Sequence, residues 1–527
     1  MTTRNWQQVA AEKRLQQERA IITISNILTP EETEPDIKAQ SIVKKVTDID
    51  DVVTLTGPSM PIGRQTGKST HFTEVLFHEA IDQAKNLDKY LAENGKPIGP
   101  LHGIPMTLKD QFNTKGHDTT LGYTGRAFKP VSEDAVLVQM LRKLGAIIYA
   151  KTNLPQSIMA RGSGARQNPL WGLTCHPKNE RYTPGGSTGG EASLLCLKGS
   201  ILGWGTDLGG SIRMPAHMTG LYGLKPSSAR LPYFGIPVST EGQEHVPSSV
   251  GPLARSLCSV YAAVRELILS QPWTKDSRCA PIPWRADVYE GMQARKLTIG
   301  VLMDDGVVRP HPPVARVMHE ALTKLANAGH ELVPWTPDLH AECIEVMDLF
   351  YTVDGGKDIR RDVLAGGEPF IPHVENLVNR GKAISVYEYW QLNRRKASLQ
   401  QAYLEKWNAI RSPTTGHPVD VLLMPVMPHS SVPHRACRWV GYTKVWNLLD
   451  YSAVALPGGK VESCDCEESW GHVARNEMDE WNVKLWEDNK TEMAGMNLTV
   501  GLQLVGRKLE EEKVLGVAKV LDDLLWK

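Results

Sequence analysis

The sequence reads as an α/β protein folded as one large domain, and three observations carry that reading. A helical pattern runs directly into an apolar strand pattern over residues 132–150, the alternation that builds an α/β core. Apolar runs that read as sheet strands recur far downstream, at 297–302, 421–424 and 498–505, so late segments complete a sheet that early ones begin. The 527 residues are 41% hydrophobic and 22% charged, an ordinary globular balance, and a large sheet enzyme can occupy such a length as one unit.

Residues 1–95 read as a mostly helical approach with a loop inside it, and 75–91 has apolar residues at helical spacing. A turn-rich break at 93–100 leads into a strand whose Ile104, Met106 and Leu108 alternate against Thr107 and Lys109. Ser132 is placed to cap a helix carrying Ala135, Val138, Leu141 and Leu144; Gly145 would stop it, and 146–150 follows as a buried strand. Further on, 258–269 reads as a helix, 297–302 as a strand re-entering the sheet, and 314–411 as mostly helical. After the strands at 421–424 and 498–505, the final helix gathers Val514, Val517, Leu521 and Leu524 on one face. Residues 96–527 thus read as one integrated core, with the polar stretch 462–489 as a surface excursion.

Two tracts interrupt this pattern, PGGSTGGE at 184–191 and GTDLGGSIRMP at 205–215. Either alone is a glycine-rich turn. Together they place Ser187, Thr188, Thr206 and Ser211 among glycines that bare the backbone N–H groups, which supplies a nucleophile and donors for an oxyanion. Lys109, alone, is an edge charge on a strand. Serine, lysine and backbone donors in combination are a recognised alternative to a Ser-His-Asp triad.

In order and in the spacing of 24 residues from Ser187 to Ser211, these three segments resemble the signature of the amidase signature family. The similarity extends through 101–155, Gly223-Leu-Lys-Pro226, Gly251-Pro-Leu-Ala-Arg255 and Val500-Gly-Leu-Gln-Leu-Val-Gly506. Tyr182-Thr-Pro-Gly-Gly186, Trp446-Asn-Leu-Leu-Asp-Tyr451 and Arg475-Asn-Glu-Met-Asp479 most resemble the fungal acetamidase-like general amidases. The resemblance implies the amidase signature fold, a central mixed sheet surrounded by helices. It also implies hydrolysis of a small carboxylic acid amide to acid and ammonia or amine through an acyl-enzyme.

By the same resemblance Ser211 is the nucleophile, Ser187 relays protons to Lys109, and a cis peptide precedes Ser187. Ser187, Leu208, Gly209, Gly210 and Ser211 would bind substrate, the backbone N–H groups across 208–211 holding the oxyanion. Thr188 keeps a hydroxyl where the family often carries serine, and Asp207 and Arg213 brace the loop. Lys109 acts as a base only when neutral, and burial lowers a lysine pKa. Its neighbour Asp110 points to the opposite face if the strand continues. His102, His176 and His217 lie near the motifs as packing residues.

Lys+Arg and Asp+Glu are both 59, so no basic footprint argues for nucleic acid or an anionic membrane. The expected partners are a small-molecule amide and, at most, a second copy of the chain in a homodimer. Eight dispersed cysteines and an N-terminus unlike a leader favour the cytoplasm. Neither Cys464-Asp-Cys466 nor any other cluster reads as a metal site, and the chemistry needs no cofactor. The apolar run 257–269 is too short to span a bilayer.

Two stretches depart from the fungal pattern. The loop 159–168 is longer and lacks the usual acidic residue, and 51–70 carries Gly57-Pro58, Pro61 and Gly63 where relatives have a helix. The second contains Gly63-Arg-Gln-Thr-Gly-Lys-Ser69, one residue short of a phosphate-binding loop. The rival functions are an amidotransferase subunit serving aminoacyl-tRNA within a multi-protein complex, and an amidase of a specialised biosynthetic pathway.

Overall fold

A computed structural model describes residues 5–25, 70–159, 168–467 and 470–526. Residues 51–69 and 160–167, which hold most of the two atypical stretches and the motif at 63–69, lie outside the described residues. The organising element is an eleven-stranded sheet. Its strands are β1 (Phe72–Val75), β2 (Pro105–Lys109), β3 (Ile147–Thr152), β4 (Leu202–Asp207), β5 (Tyr222–Lys225) and β6 (Ser249–Ala254). The second half supplies β7 (Thr298–Val301), β8 (Glu331–Pro334), β9 (Val421–Pro425), β10 (Ala453–Lys460) and β11 (Thr499–Val505). The order across the sheet is β1-β3-β2-β4-β6-β5-β10-β11-β9-β7-β8. β2 runs parallel to β3 and β4, and β7 to β8 and β9, whereas β4/β6 and β10/β11 are antiparallel. The sheet is therefore mixed, as the family resemblance implies.

Fifteen α-helices among the described residues pack around it. One buried apolar cluster runs from Leu76 to Leu521 and includes Met106, Leu202, Trp204, Leu423 and Leu502, so early and late segments share a core. Local signals place several boundaries. The helix Phe77–Asn94 ends at Gly95, whose φ of 65° allows its N–H to close on Leu91 O. The helix Val136–Lys143 is followed by Gly145 at φ 96°, where a side chain would meet the His102 backbone. Ser132, expected as its cap, lies too far upstream: Ala135 holds the cap position, and its N–H is spent on Asn113 O.

Within 1–95 the described residues hold the helices Trp6–Ser25 and Phe77–Asn94, but also β1, which pairs antiparallel with β3. The surface excursion expected at 462–489 needs a similar correction. Much of it belongs to the helix Glu477–Gly495, which buries Asp479, Asn482, Leu485 and Trp486. A polar sequence misleads here because several of the buried polar groups find distant partners: Asn482 Nδ2 donates to Arg309 O, and Asp479 accepts from the N–H groups of Arg309 and Arg475. Among the described residues no helix is long and apolar enough to cross a membrane.

For the site, the decisive feature is the parallel pairing of β2 and β4, with Leu108 opposite Trp204. Parallel neighbours end on the same edge of a sheet, so Lys109 and the pair Thr206 and Asp207 emerge together. Open α/β sheets bind ligands at that carboxyl edge.

Candidate active site

Lys109 is the last residue of β2, and both faces of that strand are covered, leaving its side chain wholly buried. Its Nζ lies 2.8 Å from Ser187 Oγ and 2.8 Å from Thr206 Oγ1. Burial pushes the lysine down to about 7, opposed by the more distant carboxylates of Asp207 and Asp110. Asp110 does turn away, accepting from the N–H groups of Thr120 at 2.9 Å and Leu121 at 2.8 Å. The amine therefore sits among hydroxyls and titrates near neutrality.

The peptide bond between Gly186 and Ser187 is cis. Gly185, at φ 83°, packs its bare Cα against Pro215. Thr188 begins the turn into the helix Gly189–Cys196; its N–H donates to Ser211 O at 3.3 Å, which ties the two glycine tracts together. The Thr188 methyl fills the space a side chain at Gly205 would need. Ser211 is 8% exposed, against 0% for Ser187 and Lys109, so it is the most accessible of the three.

Asp207 organises the loop before Ser211. It accepts from Gly210 N–H at 2.7 Å, Ile212 N–H at 3.1 Å and the Arg213 guanidinium at 3.0 Å on each oxygen. Arg213 also reaches Thr443 O and Asn447 Oδ1, and Asn447 Nδ2 donates back to Asp207. Burial alone would raise the Asp207 carboxyl, but Arg213 holds it far below the usual carboxylate range. A fully hydrogen-bonded buried ion pair of this kind fixes loop geometry. It also amends the expected donor set. The Gly210 N–H is occupied by Asp207, whereas Leu208, Gly209 and Ser211 line the cleft. Gly210 is required for shape: its φ is 124°, and a side chain would overlap Thr443.

Ser187, Thr206 and Ser211 open into a cleft of about 740 Å³. Its walls include Val246, Met347, Phe350, Tyr351 and Tyr389. The nearby histidines are structural. His102 accepts from Ile98 N–H, His176 bonds Met218 O, and His217 bridges His429 O and Gly501. Sequence reasoning singled out Thr206 only as a hydroxyl in a tract, and it missed Gln111. Thr206 Oγ1 is 2.7 Å from Gln111 Oε1 and so links Gln111 to Lys109. No strand alternation could have placed Gln111, because β2 ends at Lys109 and the chain turns through Asp110 and Gln111, the Phe112 N–H closing on Lys109 O.

The family model described as Amidase matches residues 64–515. The chain belongs to the amidase family. It is similar to Amidase 1 of Gibberella moniliformis, 49% identical over 99% of this chain and 100% of that protein. It is also similar to the acetamidase of Emericella nidulans, 37% identical over 88% of this chain and 84% of the other. Among solved structures, a fatty acid amide hydrolase superposes with a TM-score of 0.80 at 29% identity, covering 95% of this chain and 88% of that one. Amide hydrolysis is the reaction this amidase family member supports.

Proposed function

We propose that this amidase hydrolyses a linear carboxylic acid amide through Ser211, Ser187 and Lys109. The observation that carries the reading is Lys109 Nζ at 2.8 Å from Ser187 Oγ, in surroundings that let the amine be neutral near pH 7. Ser211 Oγ attacks the amide carbon as its proton passes to Ser187, whose own proton passes to Lys109. The tetrahedral oxyanion is held by N–H groups among Leu208, Gly209 and Ser211. Its collapse breaks the C–N bond, and the departing ammonia or amine takes the proton back through Ser187. Water then attacks the acyl-Ser211 ester by the same relay, which releases the acid and restores the serine.

The cleft supports a substrate with more than an acetamide-sized body, since about 300–1,000 Å³ is the range for drug-sized ligands. His245 stacks on Phe350 at 4.5 Å and Tyr389 meets both edge-on, giving one wall a flat apolar face. No disulfide joins any of the eight cysteines, which supports a cytoplasmic enzyme. Action as an isolated chain, rather than as an amidotransferase subunit, is supported by the neutral composition and by similarity to Amidase 1 and the acetamidase over 99% and 88% of this chain.

The test is labelling by a serine-directed fluorophosphonate with intact-mass readout and peptide mapping, alongside hydrolysis of aliphatic and aromatic amides by the purified chain. The adduct is expected on Ser211 and absent from Ser211→Ala. An adduct on Ser187 with none on Ser211 would reverse the assignment.

A further inference from the structure

The hydrogen-bond chain behind Lys109 has a direction, and the atoms that set it lie outside the three catalytic side chains. Gln111 is 1% exposed. One end of its amide lies 2.9 Å from Pro237 O and 3.2 Å from the Tyr233 hydroxyl. A proline carbonyl can only accept, so that end is the NH2 group and the amide orientation is fixed. The other end is therefore Oε1, an acceptor, 2.7 Å from Thr206 Oγ1. Thr206 has one hydroxyl proton, and it must point at Gln111. What Thr206 turns toward Lys109 Nζ, 2.8 Å away, is a lone pair.

We propose that Gln111 is a positioning residue that fixes the polarity of the chain Lys109 to Thr206 to Gln111, so that neutral Lys109 spends an N–H on Thr206 and presents its lone pair to Ser187. A threonine hydroxyl left to rotate could donate to that lone pair and compete with Ser187 for it. The effect is one of proton direction, with no change in charge.

The charged groups around the amine do not supply this selection. Asp110 on β2 is turned to Thr120 and Leu121, and Asp207 on β4 is bound by Arg213 and Asn447. Glu191, on the helix Gly189–Cys196, accepts from Thr107 and from Thr152. Lys151 on β3 donates to Asp118 O and Thr119.

The inference rests on Lys109 being the base, and the experiment separates the two. Gln111→Leu, and Gln111→Met as a second variant of similar size, are compared with wild type in kcat/KM against pH, in the natural background and in Thr206→Val. Each variant is first checked for a cooperative melt. In the natural background, loss of Gln111 should lower the high-pH plateau about tenfold or more, part of the 10²–10⁴ that a positioned base provides. The ascending limb should move to lower pH, because a hydroxyl donating to the neutral amine disfavours the charged form. In Thr206→Val the same substitution should cost less than about twofold, because the hydroxyl through which Gln111 acts is gone. Equal losses in both backgrounds, or a plateau within about twofold of wild type in the natural one, would overturn the proposal. Lys109→Ala is the control on the underlying reading: an ascending limb that survives there means that another group is the base.

Discussion

Removing Lys109 should remove the rise of activity with pH. An ordinary lysine titrates near 10.4, so about one in 2,500 is neutral at pH 7. With Lys109 held at about 7, half of the molecules carry a neutral amine at that pH. Burial thus supplies about a thousandfold more competent base at neutrality. The base is the unprotonated form, so kcat/KM should climb tenfold per pH unit below about 7 and level off above it. Lys109→Ala should flatten that limb and lower the plateau by about 10²–10⁴. The loss should be larger for an amide than for the ester of the same acid, because an amine leaving group needs the returned proton. The assay is initial-rate kcat/KM from pH 5 to 10 on a matched amide and ester pair. A wild-type profile still rising steeply beyond pH 9, or an unchanged limb in Lys109→Ala with near-normal amide turnover, would refute the reasoning.

Two other outcomes follow from the geometry. Gly210→Ala forces a side chain into φ 124° and against Thr443 Cβ at 2.7 Å, so it should cost about 1–3 kcal/mol in urea unfolding and nearly abolish phosphonylation by a fluorophosphonate. His117 bonds Glu79 at 2.8 Å and lies 3.6 Å from Glu74; burial opposes its charge, but the two carboxylates raise its pKa to about 9. A raised folded pKa stabilises fully below the unfolded value near 6.5 and loses that contribution as pH rises through about 9. His117→Gln should therefore lower the urea midpoint at pH 6 and have much less effect at pH 10, and an equal effect at both would show that charge is not what His117 provides.

The proposed trio, Lys109, Ser187 and Ser211, could be picked out of the chain because its signal is local. Ser187 and Ser211 sit in glycine tracts of a composition that ordinary loops seldom repeat, and Lys109 ends an alternating strand. The strands that read clearly, β3, β7, β9 and β11, are the apolar ones. Those left unread include β4, with sequence LGWGTD, β6, with SVGPLA, and β10, with AVALPGGK. Their glycines and prolines read as turns, and strands covered on both faces show no alternation of apolar and polar residues. The burial of Asp479 and Asn482 was hidden for a related reason, since their polar groups go inside with partners distant in the chain, Arg309 among them.

What residue identities determined was which functional groups are present and on which side of β2 they lie. What only the tertiary structure decided was which atoms meet. Asp207 takes the Gly210 N–H out of the expected donor set, and Thr206 closes on Lys109 and on Gln111 across 97 and 95 residues of chain. The physical reason is that hydrogen-bond direction and burial belong to pairs of groups. A hydroxyl's role depends on the acceptor it faces, and a lysine's pKa on the water it has lost, and neither is a property of one residue.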